Sequence, residues 1–390
     1  MLAILAYPFV DQFGLSVPDG RVVVMTDPVF VVPDAVLDDL RTRLQNTRWP
    51  SVVDGQGWSR GTDLDYLREL LGYWQTEFDW RAQEAALSRF THERVQVSGL
   101  SLHQIHERAA APEAIPLVLL HGWPDSFLRY TKALPLLRNF HCVVPSLPGY
   151  GFSERPTSPG WSSLKVADAI AELMTANGYH RFVVSGGDVG ASVAEQLARR
   201  HTDRIIALHL TDVPYTHLFS VNSAELTEPE RAYLAAGQAW QMSEGAYALL
   251  QSTKPATAAV GLADSPAGLA AWIIEKLRSW SDCDGQLERR FSRDEVLTWL
   301  TLYWVTNTIG SSFLPYVEYD PGENSQVSVP TGITIFPKDL VPAPREFAER
   351  FFRIVRWTEL PTGGHFTAWE EPEAFASELT ALAVSASDAA

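Results

Sequence analysis

The chain has 390 residues, with 47 Asp and Glu against 31 Lys and Arg, a formal charge of −16. That excess of acid argues against nucleic acid or an anionic membrane as partner, because both need a basic face. At 46% hydrophobic and 20% charged residues the composition is globular, and two cysteines, Cys142 and Cys283, are too few for a disulfide framework.

The first ten residues, MLAILAYPFV, are apolar but stop at Asp11, far short of a membrane span. They also lack the basic start and cleavage site of a secretory signal. Residues 1–27 therefore read as an extension without regular structure, with Met25 as a candidate alternative start. Unpaired cysteines and no export signal point to a reducing, cytoplasmic setting. A first helix is predicted in VPDAVLDDLRTRLQNTRWP, where Val36, Leu37, Leu40 and Leu44 fall at helical spacing after a Pro33-Asp34 start. A second helical stretch, roughly 64–90, carries Leu67, Leu70, Leu71, Trp74 and Phe78, so that 28–92 form an N-terminal helical region.

The texture then changes to short β-branched runs alternating with helical patterns. IPLVLLHG (115–122), HCVVPSLPG (141–149), RFVVSGGD (181–188), IIALHLTD (205–212), ITIFPKD (333–339) and IVRWTEL (354–360) read as strands, with helices such as 163–178 and 190–201 between them. Apolar strands alternating with helices predict an α/β fold with a mostly parallel sheet buried on both faces. Chemistry in such sheets collects at the carboxyl ends of the strands. From 216 to 325 the strand signal vanishes in favour of helical, aromatic sequence, and the sheet pattern then resumes. This organisation gives a first core half over 93–215, a helical lid over 216–325 and a second core half over 326–390. The competing reading is a separate helical domain with no part in chemistry.

Residues 181–200, RFVVSGGDVGASVAEQLARR, read as strand, Gly-rich turn and helix, with small residues two before, two after and three after Asp188. An abrupt strand-to-helix turn needs such neighbours, so this is a nucleophile elbow with Asp at its tip. A carboxylate is ionised at pH 7 without a base, and it can displace a leaving group at saturated carbon to form an ester. The plainer reading is a Gly-rich turn with a capping Asp. A dinucleotide fingerprint fails, because Asp188 stands where its second Gly should be and would repel a pyrophosphate.

The loop His121-Gly122-Trp123-Pro124 follows an early strand, and its Trp123 N–H can join that of Val189 in an oxyanion hole. His121 reads as a structural loop residue. In Gly363-Gly364-His365-Phe366 the imidazole follows the last strand and suits a general base. Asp339, ending ITIFPKD, is the preferred orienting acid. Asp212 is the second choice, and Glu370 and Glu371 are rivals.

Together HGWPDSF, SLPGYGFSERP, GGDVGAS and GGHFTAWEEP resemble the α/β-hydrolase epoxide hydrolases of the microsomal type. VPDAVLDDLRTRLQNTRWP and QSTKPATAAVGLADSPAGLAAWIIEKLRSW are similar to that group as well, and the likeness covers about residues 28–380. The membrane anchor of the vertebrate enzymes has no counterpart here, which brings the chain nearer to soluble bacterial members, including those of antibiotic pathways such as the enediynes. The resemblance implies Asp188 as nucleophile, His365 as base and Asp339 as its orienter. It also implies two lid tyrosines, Tyr247 and Tyr316, that donate to the epoxide oxygen; core packing is the alternative for each. It implies no cofactor, a small epoxide and water as the reactants, and a homodimer. One departure is Val189, where the family and its dehalogenase cousins usually carry Trp. The backbone role survives that change, while the haloalkane dehalogenase alternative loses a halide ligand. A non-catalytic binding protein on the same fold is the remaining alternative. Five lid tryptophans (Trp240, Trp272, Trp280, Trp299 and Trp304) suit either an apolar or aryl substrate or packing of the lid on the sheet.

Overall fold

The computed structural model describes residues 22–24, 31–53, 55–222, 225–320, 322 and 325–388. Met25 and most of the N-terminal extension lie outside them, but Val22–Val24 form a short strand, β1. Two helices, α1 (Asp34–Gln45) and α2 (Leu64–Thr76), bury Leu37, Leu40, Leu44 and Leu67, Leu70, Leu71, Trp74 respectively. The single helix predicted over 64–90 is two. Asp79 adopts extended backbone and its carboxylate accepts the Arg81 and Ala82 N–H groups, which starts α3 (Trp80–Leu87) afresh.

Two strands that the sequence reading passed over follow, β2 (His92–Val97) and β3 (Leu100–Glu107), joined by a tight Ser98-Gly99 turn. The predicted strands appear as β4 (Ile115–Leu120), β5 (Phe140–Pro145), β6 (Phe182–Gly186), β7 (Ile205–Leu210), β8 (Val327–Ile335) and β9 (Phe352–Glu359), except that β8 starts before the predicted ITIFPKD and stops at Ile335, which leaves Asp339 in the loop beyond it. The sheet order is β1-β2-β3-β5-β4-β6-β7-β8-β9. Pairing is antiparallel from β1 through β3 to β5 and parallel from there on. The chain runs from β4 outward to β5 and returns past β4 to β6, so the order reverses at β4. Loops leaving the carboxyl ends of β4 and β6 therefore flank a crevice, where α/β sheets bind ligands. Helices α4 (Ser163–Ala176) and α5 (Val189–Arg200) follow β5 and β6, and Leu117–Leu120 of β4 are wholly buried.

Between β7 and β8 the chain forms α6 (Glu228–Glu244), α7 (Ala246–Thr253), α8 (Pro255–Asp264), α9 (Pro266–Trp280), α10 (Arg293–Thr306) and α11 (Leu314–Val317). This lid is fastened to the loops above the sheet. Trp299 Nε1 donates to the Pro124 carbonyl at 2.7 Å, Tyr303 Oη to the Asp125 carbonyl at 2.9 Å, and the His365 N–H to the Trp280 carbonyl at 2.8 Å. Short helix α12 (Arg345–Ala348) links β8 to β9, and α13 (Thr367–Glu370) and α14 (Pro372–Asp388) complete the chain. Among the described residues, no single helix is long and apolar enough to cross a bilayer.

Candidate active site

Strand β6 ends at Gly186 and α5 starts at Val189, so two residues make the whole reversal. Asp188 takes the strain with φ 57° and ψ −130°, a region L-residues rarely adopt. The close approach needs glycine at two points. A Cβ on Gly190 would lie 2.2 Å from the Leu120 carbonyl oxygen, and one on Gly122 would lie 2.2 Å from Asp188 Oδ1.

The Asp188 carboxylate faces two ways. Oδ1 accepts the Trp123 N–H at 2.8 Å and the Val189 N–H at 2.7 Å, the two amides expected from the sequence. Oδ2 lies 3.3 Å from His365 Nε2, a contact not aligned as a hydrogen bond. His365 Nδ1 bonds Asp339 Oδ1 at 2.7 Å, and that oxygen also accepts the Leu340 N–H. Asp212 instead accepts the Asp188 backbone N–H at 3.3 Å, so it supports the turn and leaves the imidazole to Asp339. Glu370 accepts the Gly364 and Phe366 amides of the imidazole's own loop and the Asp282 amide of the lid. His121 is engaged on both ring nitrogens, with the Gly122 carbonyl and the Leu147 N–H, and burial holds it down at about 4, hence neutral.

Charge is finely arranged here. Burial would raise the Asp188 carboxyl, but His365 and the two amides outweigh it and hold it below the ordinary range. Burial would lower His365, but the Asp339 and Asp188 carboxylates prevail and raise it to about 10. Asp212 is pushed up to about 8 by burial and by the Asp339 charge. The carboxylates on either side thus favour the charged imidazole, while the neighbouring charges disfavour ionisation of Asp212.

Above Asp188 stand Tyr247 on α7 and Tyr316 on α11, edge to face with ring centroids 6.0 Å apart. Tyr247 stacks on the Trp123 indole at 5.1 Å, and Tyr316 meets it edge-on at 6.0 Å. Burial and the Asp188 charge push both phenols upward, so both stay protonated at neutral pH. Asp188, His365, Tyr247 and Tyr316 all line one cavity of about 520 Å³, whose other walls include Leu147, Trp161, Val166 and Leu340. Phe219, Leu249 and Tyr319 line it too while remaining well exposed, so they stand on its solvent side. Of the five lid tryptophans, Trp240 lines the cavity, Trp280 lies edge-on over the His365 ring at 5.2 Å, and Trp299 anchors the lid. Trp272 and Trp304 are half-buried packing residues outside it.

Sequence reasoning missed one buried ion pair beneath this site, Arg129 with Asp125 at 2.8 Å. Its signal was present, an acid and a base four apart immediately after HGWP.

Sheet order, acidic elbow and a histidine after the last strand define a hydrolase of the α/β-hydrolase class. The family model for the alpha/beta hydrolase fold matches residues 115–292, and that for the epoxide hydrolase N terminus matches 26–130. A protein of Stigmatella aurantiaca, provisionally named as an epoxide hydrolase, is 40% identical over 89% of this chain and 82% of its own. Epoxide hydrolase 1 of Sus scrofa is 32% identical over 89% and 86%. The solved structure of the Aspergillus niger epoxide hydrolase superposes with a TM-score of 0.82 at 30% identity, covering 94% of this chain and 96% of that one. The chain belongs to the epoxide hydrolase family.

Proposed function

We propose that this enzyme opens an apolar or aryl epoxide to a vicinal diol through an ester on Asp188, without a cofactor. The observation that carries the reading is the division of labour on one carboxylate: Oδ1 is held by two amides, while Oδ2 faces a cavity flanked by an imidazole and two phenols. Oδ2 attacks a ring carbon and the ring C–O bond breaks. Its electron pair goes to the oxygen, which takes a proton from Tyr247 or Tyr316. An alkoxide is too basic to leave unaided, which is why phenols suit it. A halide needs no proton, so two protonated phenols favour an epoxide over a haloalkane.

Esterification erases the Asp188 charge, one of two carboxylates that raise His365. The imidazolium can then give its proton to the phenolate and become a base at the moment one is needed. Water, deprotonated by His365, attacks the ester carbon. The Trp123 and Val189 amides stabilise the oxyanion on Oδ1, and the diol leaves with the former Oδ2 and a proton from His365. The carboxyl formed on Asp188 then ionises, and its proton restores the resting imidazolium.

The test is a single turnover in heavy-oxygen water with a panel of aryl and alkyl epoxides. Label is expected first in the Asp188 peptide, with the first diol unlabelled. A labelled first diol would mean direct attack by water and would sink the ester. Tyr247→Phe and Tyr316→Phe are each expected to slow ester formation, with a combined loss of roughly 10²–10⁴-fold. Rapid-quench measurement of the alkylation rate checks this.

A further inference from the structure

Arg129 and Asp125 are both about 1% exposed. An ion pair so deeply buried is a poor route to stability, since well-packed apolar residues often serve as well. What sets this pair apart is its reach. Arg129 Nη1 donates to Asp125 Oδ2 at 2.8 Å, while Nη2 donates to the His365 carbonyl at 2.6 Å and to Thr367 Oγ1 at 3.2 Å. Asp125 lies two residues beyond Trp123, and its Oδ1 accepts the Ser126 N–H at 2.7 Å. The same guanidinium lies below the elbow, where a Cβ on Gly187 would come within 2.9 Å of it. One side chain thus ties the loop of the Trp123 amide to the loop of the imidazole.

We propose that Arg129 is a positioning residue for the hydrolytic half-reaction, holding His365 and the Trp123 amide in register over the same ester carbon. The inference rests on the ester reading given above. Ring opening needs Asp188 and the phenols, whereas hydrolysis needs base and oxyanion hole together. A misplacement of about 1 Å can cost 10²-fold. A guanidinium fork can serve both loops at once, which a lysine ammonium cannot do with the same geometry.

Two variants test it. Arg129→Lys keeps the charge opposite Asp125, and the double variant Arg129→Met/Asp125→Asn removes both charges, so that neither buried ion is left alone. In each, kcat should fall about 10²-fold. The ratio kcat/KM should fall much less, because it reports steps up to ester formation only, where the Trp123 amide steadies Asp188 but His365 is not yet needed as a base. KM should fall with kcat, and rapid-quench mass spectra should show most of the enzyme as ester on Asp188. Equal losses in kcat and kcat/KM, or no ester build-up in a variant with native circular dichroism, would overturn the proposal. His365→Gln is the reference. If it accumulates ester and the Arg129 variants do not, the Arg129 role fails alone; if it accumulates none, the ester reading fails and takes this inference with it.

Discussion

Asp188→Asn is expected to lower turnover on the order of 10⁴–10⁶-fold, the scale of loss when a covalent nucleophile is removed. The substitution is nearly isosteric. Its carbonyl oxygen can still accept the Trp123 and Val189 amides, so the elbow should keep its shape. What disappears is the anionic oxygen facing the cavity. Freshly prepared protein matters, because deamidation would regenerate the carboxylate. Steady-state diol formation checks the prediction, and retention of full activity would mean that another group makes the bond to carbon.

The second large effect is expected from His365→Gln. Ester formation should persist while its breakdown slows by up to roughly 10⁴-fold, the upper range for a lost general base. A burst of one equivalent followed by near silence, with the adduct on the Asp188 peptide, is the expected signature. In the wild type, hydrolysis should speed up as pH rises through the lowered value that the imidazole acquires once Asp188 is esterified. Ring opening should be nearly flat over the same range, because the carboxylate is already ionised and the phenols stay protonated. Stability has its own sign. A value raised from 6.5 to about 10 means that the ion-paired imidazolium stabilises the fold fully below 6.5 and that this contribution is lost as pH rises through 10. The melting-temperature gap between wild type and His365→Gln should therefore narrow over that interval.

Strands β4 to β9 were legible because they are apolar, β-branched and bounded by turn residues. The hairpin β2–β3 was not, since HERVQVSGLSLHQIHE carries buried polar groups that hide its alternation. Glu93 accepts from Gln104 and contacts His106 inside the fold, while the exposed Arg108 reaches it from the surface, so several side chains that read as surface are in fact paired core. The elbow could be read because its glycines answer to steric need. For the acid beside the imidazole the sequence offered only a preference, Asp339 over Asp212, since both follow strands; their directions differ, one toward Nδ1 and the other toward a backbone amide. The tyrosines came from family resemblance alone, because the lid helices that carry them meet the elbow only in three dimensions.

The lid's fastenings have a consequence for traffic. The Trp123 indole is sandwiched with Tyr247, and further bonds run from Trp280, Trp299 and Tyr303 to the loops that carry the chemistry. Swinging the whole roof aside, as many enzymes do to admit a guest, would pull Tyr247 off the Trp123 indole each cycle. Such fastenings favour entry through the cavity's solvent side, where Phe219, Leu249 and Tyr319 stand exposed on the lining, so that bulk there, more than a hinge, would set how large an oxirane can pass.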